Sequence, residues 1–304
     1  MGNSAKAHFS VMAANLIFAA NYSIVKIVTP SIIKPFGLNV LRALVSVFMF
    51  WGLYLMKPSK PGIRKEDLGR FIICAATGIV INQLLFIKGL SLTTSIHASL
   101  LSLGTPVFIT IIAAWLLKEK LTINKIAGLM LAIAGGVLLI TAKEFAGHGS
   151  DIFFGDMLVL INAISYGFFL VLVRPLMDAY SPIHVLRWVF TLGTLMILLF
   201  GWNQFLEVEW KTISSYHWVA LGFITIGATF LAYLLNVYGI KTLGSSATGT
   251  YIYTQPVFAA VIAALAFGEG ITITKIISAL LIFAGVFVVN INMKDESGAG
   301  IDRK

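Results

Sequence analysis

Amides and phenols recur in stretches of this chain that are otherwise too apolar for water. They are Asn15, Asn21 and Tyr22, followed by Lys26; Asn82 and Gln83; Ser102 and Thr105; Asn162 and Tyr166; Tyr233 and Asn236; and Tyr253 and Gln255. Polar side chains deep in an apolar segment are costly against lipid and turn inward. There an amide offers donors and acceptors, and a tyrosine adds a stacking face to its polar tip. Taken singly, each is accounted for by an interhelical hydrogen bond worth well under about 1 kcal/mol. Taken as a set on six segments, they predict a cavity that recognises a small solute, and a polar, tyrosine-bearing cavity suits a zwitterion or an aromatic compound.

The charged candidates divide into two groups. Lys26, Arg42 and Lys88 have no obvious embedded carboxylate as partner. They either attract an anionic group or snorkel to headgroups. His97 is a further candidate proton carrier. Glu119 and Glu269 each precede a short link to a segment opening on Thr122 or Thr272, which read as N-caps. A carboxylate there either supports the next helix start or couples to protons.

Bond-making chemistry finds no support. There is no H-E-x-x-H, no phosphate-cradling G-x-x-x-x-G-K-[ST], no G-x-S-x-G and no Cys/His cluster at metal spacing. Neither an enzyme, a cofactor, a metal site nor an ATP-driven pump is expected. The lone Cys74 excludes an intrachain disulfide framework.

These residues must be positioned by membrane helices. Of the 304 residues 58% are hydrophobic and 12% charged, against about a quarter charged in soluble domains. About 20 residues cross a bilayer, which predicts ten spans near 9–29, 36–56, 69–90, 94–117, 122–141, 154–176, 182–203, 215–239, 246–268 and 272–292. The net charge of +9 comes from cations in short connectors such as "KPSKPGIRKEDLGR" and "KEKLTINK". This is topology rather than nucleic-acid binding, and it predicts that both connectors and both termini face the cytoplasm. Trp51, Tyr54, Trp202, Trp210, Tyr216 and Trp218 near span ends read as interfacial anchors.

An offset of 150 residues pairs Gly89 with Gly239, "PVF" at 106–108 with "PVF" at 256–258, and Glu119 with Glu269. An offset of 145 pairs "VLR" at 40–42 with "VLR" at 185–187. The chain therefore reads as an all-α integral membrane protein of two five-helix repeats, 1–145 and 146–293, with a polar cytoplasmic tail at 294–304. Five is odd, so the repeats are inverted, an architecture that supports alternating access. Pro106 and Pro256 fall near the middle of the fourth and ninth spans. Each removes a backbone donor, predicting kinks at the carbonyls of Ser102 and Ile252, for packing or for substrate contact.

The segments "ANYSIVKIVTP" and "LNVLRALVSVFMF" resemble bacterial EamA-type members of the drug/metabolite transporter superfamily. So do "SLGTPVFITIIAAWLLKEKLTINKIAGLMLAIAGGVLLI" and its partner "YTQPVFAAVIAALAFGEGITITKIISALLIFAGVFVV". The resemblance covers residues 9–292. It implies a secondary transporter of the bacterial inner membrane, often an exporter of amino acids or related metabolites, with a cavity lined by helices 1, 3, 4, 6, 8 and 9. The partners expected are a small-molecule substrate and lipid, and a monomer suffices because both repeats lie in one chain. An exchanger of anionic metabolites is the second expectation. A membrane-embedded enzyme lacks converging reactive groups, and an inert scaffold needs no inverted symmetry.

Overall fold

A chain in lipid must satisfy its backbone polar groups internally, and helices do so within one segment. The computed structural model describes residues 3–56, 62–117, 123–141, 149–243, 248, 251–268 and 270–291, and among them there is no strand. The helices are α1 (Asn3–Val28), α2 (Pro35–Met56), α3 (Lys65–Leu92) and α4 in two pieces (Ser95–Ser102 and Thr105–Leu117). They continue with α5 (Ile123–Thr141), α6 (Gly149–Ala179), α7 (Pro182–Leu206) and α8 (Ser215–Leu243). Last come α9, a 3-10 turn at Tyr251–Thr254 leading into Gln255–Phe267, and α10 (Ile273–Ile291). Each expected span has its helix. Among the described residues seven stretches are long and apolar enough to cross a membrane, with shorter apolar helices in α5, α9 and α10. Phe48, Leu199, Leu265 and Ile273 are more than three-quarters exposed, a surface that suits lipid tails rather than water.

Packing repeats between the two halves. The most extensive contacts join α5 to α10 and α2 to α7, each helix meeting its own counterpart. The lower part of α3 packs on α6 as the end of α8 packs on α1, and α4 meets α6 as α9 meets α1. The close approaches need glycine. A Cβ on Gly89 of α3 would lie 2.8 Å from the Gly155 carbonyl oxygen in α6, and one on its counterpart Gly239 in α8 would lie 2.1 Å from Val11 Cγ2 in α1.

The helices are also irregular at matching places. A π-helical segment occupies Ala76–Ile81 in α3 and Phe223–Leu231 in α8; such segments widen the helix and often mark functional sites. In α4 the helix stops after Ser102, turns at 103–104 and restarts at Thr105. In α9 it restarts at Gln255 after the 3-10 turn. Pro106 and Pro256 are thus the second residues of new helical segments. The expectation of prolines kinking continuous helices is corrected, because the first turn has no intrahelical use for the missing N–H.

Two apolar clusters fill the bundle. One includes Ile33, Leu38, Leu90, Ile96 and Val159, towards the end that carries the 93–94 link. The other includes Phe50, Phe71, Val173, Leu176 and Val185, towards the end that carries the 180–181 link.

Candidate functional site

Between these clusters lies a cavity of about 110 Å³, room for several waters or a small solute. The lining contains Asn15, Asn21 and Tyr22 from α1, Asn82 and Gln83 from α3, and Ser102 and Thr105 from α4. Asn162 and Tyr166 of α6, Tyr233 and Asn236 of α8, and Gln255 of α9 complete its polar wall. The π segments end immediately before Asn82 and just before Tyr233, and the restart of α9 places Gln255 at a helix start. Four pairs at the 150-residue offset line it together: Gln83 with Tyr233, Phe86 with Asn236, Ser102 with Ile252, and Thr105 with Gln255. Both halves build one site.

Several of these groups already bond one another. Gln255 Nε2 donates to Asn15 Oδ1 at 2.6 Å and Tyr22 Oη donates to Gln255 Oε1 at 3.4 Å, while Asn15 Nδ2 donates to the Val11 carbonyl at 2.8 Å. This chain of bonds ties α1 to α9. Asn162 Nδ2 donates to the Asn82 carbonyl at 2.7 Å, and Asn236 Nδ2 donates to Tyr166 Oη at 3.3 Å. Asn21 Oδ1 and Gln83 Oε1 are buried acceptors with no donor, and the Gln83 amide nitrogen faces the Tyr233 hydroxyl.

Residues outside the expected polar set also line the cavity. Phe18, Phe86 and Ile252 supply apolar wall, and Arg42 supplies the only charge among the described lining residues. Phe18 and Phe86 looked like any other apolar residue in sequence. Arg42 carries a signal in sequence, its place in the repeated "VLR", though its type alone groups it with Lys26 and Lys88. Arg42 is 4% exposed, and its Nε donates to Thr229 Oγ1 at 2.8 Å.

Not every candidate converges. Lys26 and Tyr253 are absent from the lining, as is the half-buried Lys88. Lys26 Nζ instead donates to the Thr93 backbone carbonyl. The Thr93 hydroxyl bonds Asp156 Oδ1, and the other oxygen of Asp156 lies 3.0 Å from His97 Nδ1. Asp156 is wholly buried and His97 nearly so. An embedded carboxylate therefore exists where the sequence reading found none; its distance from His97 along the chain, 59 residues, hid the pairing. Glu119, Glu269 and Thr122 lie outside the described residues. Thr272 accepts from the Lys275 N–H at 3.3 Å and caps α10.

A second buried cation stands near the opposite end. Arg187 has its guanidinium carbon 3.7 Å from the Tyr54 ring centroid, 4.6 Å from that of Trp51 and 5.5 Å from that of Trp188. Its Nη2 is 3.2 Å from His184 Nδ1. Trp51 and Tyr54 were expected to be interfacial anchors. They also enclose a cation, because the α2–α7 contact turns them onto Arg187. Among the described residues no group of three His, Cys, Asp or Glu side chains gathers to hold a metal.

Comparison with known proteins agrees with this architecture. A solved crystal structure superimposes over 94% of this chain and 98% of its own with a TM-score of 0.63 at 17% identity, which is a likeness of fold. An uncharacterized transporter of Archaeoglobus fulgidus is 25% identical over 94% of this chain and 97% of its own. The uncharacterized transporter YetK of Bacillus subtilis is 24% identical over 95% and 88%. A WAT1-related protein of Arabidopsis thaliana is 23% identical over 97% and 88%. These names point to transporters rather than enzymes. The EamA-like transporter family matches residues 5–141 and again 153–291; this multi-pass, all-α membrane chain belongs to that family.

Proposed function

We propose that the cavity is the substrate site of a secondary transporter, acting mainly as an exporter of small metabolites, with amino acids or related amphipathic solutes as the leading class. The observation that carries this reading is the cavity's double origin, with four pairs of equivalent positions facing one space. Two halves that contribute equally can exchange roles, one apolar cluster loosening while the other stays closed, around a fixed site. The charge of the connectors supports a cytoplasmic side for both termini, and the family resemblance supports a bacterial inner membrane as the location. One chain is sufficient for the cycle. As a second reading, Arg42, the single cation among the described lining residues, favours an exchanger of anionic metabolites.

The test is uptake and counterflow in proteoliposomes of the purified protein, with labelled neutral, aromatic and acidic amino acids and a phosphorylated metabolite. Saturable movement of a neutral or aromatic amino acid supports the leading reading. Preference for the acidic or phosphorylated compound selects the second. Absence of transport for every compound, in vesicles containing folded protein, removes both.

A further inference from the structure

Arg42 is held as though waiting for a partner that the protein does not provide. Its Nε donates to Thr229 Oγ1 at 2.8 Å, and that hydroxyl in turn donates to the Ile224 carbonyl at 2.7 Å inside the π segment of α8. The guanidinium is thereby fixed in one orientation. Its Nη1 is buried without a hydrogen-bond partner. Among the described residues no acidic side chain lines the cavity, and no ion pair includes Arg42. A buried charge without a counter-charge is strongly unfavourable. A planar carboxylate meets a guanidinium fork with two parallel bonds.

The remaining unsatisfied groups define the rest of the ligand. Gln83 Oε1 and Asn21 Oδ1 are buried acceptors without donors, while the amide nitrogen of Gln83 faces the Tyr233 hydroxyl. A dianion such as a phosphate ester would leave one negative charge unmatched and bring it towards amide oxygens. A simple amine would place a second cation beside Arg42. A single carboxylate with a neighbouring donor, either an ammonium or a hydroxyl, satisfies both sets. Phe18 and Phe86 leave apolar wall for an uncharged side chain.

We infer that Arg42, oriented by Thr229, is the residue that selects the substrate, by binding the single carboxylate of a small monocarboxylate whose adjacent donor group meets Gln83 and Asn21. The inference rests on the cavity's being the substrate site. It explains how one charged group gives specificity in an otherwise neutral space: an analogue lacking the carboxylate leaves the guanidinium buried and unpaired.

The experiment uses L-leucine and L-phenylalanine, the matching 2-hydroxy acids, the amino-acid amides and the decarboxylated amines. Binding to purified protein is read by thermal shift, and movement by counterflow in proteoliposomes. At least one amino or hydroxy acid binds, while its amide and amine do not. The two acid arms show whether the donor is ammonium or hydroxyl. Arg42→Gln weakens acid binding by about tenfold or more. Arg42→Lys gives an intermediate loss because it keeps charge without the fork. Thr229→Val weakens binding through orientation alone, and the control Lys88→Ala changes nothing. Should Arg42→Gln fail to fold, the Arg42→Lys and Thr229→Val pair carries the comparison. The inference is overturned if the amide or amine binds as tightly as the acid, if folded Arg42 variants bind the acid undiminished, or if the wild type binds no acid in the panel. Arg42-dependent binding without counterflow keeps the anchor and removes transport. Counterflow indifferent to Arg42 does the reverse.

Discussion

Arg42 and Arg187 stand 145 residues apart in the same Val-Leu-Arg context, both buried, yet one faces the cavity and the other is enclosed by Tyr54, Trp51 and Trp188. The duplication supplied two equivalent cations, and their surroundings separate the roles. Arg187 has aromatic partners within the protein; Arg42 has the Thr229 hydroxyl on its Nε and lines the cavity.

The two arginines should therefore respond oppositely to substitution. Arg187→Gln or Trp51→Ala removes cation–π contacts that are worth about 2 kcal/mol when desolvated. Thermal unfolding in detergent should fall accordingly, while KM in proteoliposomes stays near the wild-type value. Arg42→Gln removes a buried charge that has no counter-charge, so the melting temperature should hold or rise while transport is lost. Equal losses of stability in both variants would refute this division.

The His97–Asp156 pair joins α4 to α6 near the 93–94 link, with Thr93 completing the carboxylate's bonds. Asp156→Ala would strand a buried imidazole and a hydroxyl, at a cost of about 3 kcal/mol. Thr93→Val, which removes one hydrogen bond, should cost about 1 kcal/mol. Equilibrium unfolding in mixed micelles measures both. An Asp156→Ala loss no greater than that of Thr93→Val would show that the pair is not the principal tie at this end.

Gly239 lets α8 approach α1 so closely that an added Cβ would meet Val11 Cγ2 at 2.1 Å, while its next neighbours, Thr248 Oγ1 and Val11 Cβ, are at 3.4 and 3.5 Å. Gly239→Ala alone should destabilise the bundle. On a Val11→Ala background it should be much better tolerated, giving a favourable coupling of about 1 kcal/mol in a double-mutant cycle. Additive effects would place the strain elsewhere.

The proposed orientation makes Gly62 and Glu209, both exposed and in connectors, lie on opposite sides of the membrane. In a Cys74→Ser background, Gly62→Cys should be shielded from an impermeant maleimide in intact cells and react after permeabilisation. Glu209→Cys should react in intact cells. The reverse pattern would invert the topology and turn the export reading round.

Helix number and approximate limits were legible because lipid enforces a simple rule: long apolar runs must close their own hydrogen bonds. Inward polar positions were legible for the same reason, so Asn15, Gln83, Asn162 and Gln255 could be named as candidates from type and depth alone. The pairing of Asp156 with His97 was not, since helices bring together residues whose chain separation carries no signal. Nor were the helix restarts at Thr105 and Gln255: proline marks a lost donor, but only neighbouring helices decide whether the backbone bends or breaks.

The sequence by itself determined a duplicated, ten-helix membrane chain with polar groups turned inward, through hydropathy and a repeat written in matching Pro, Gly and Arg. Tertiary structure decided which of those groups meet. It set Arg42 beside Thr229 on the cavity wall and closed rings over Arg187, because burial and pairing depend on which helix faces which. Two identical triplets cannot encode that difference; the packing of α2 against α7 and the π segment of α8 does.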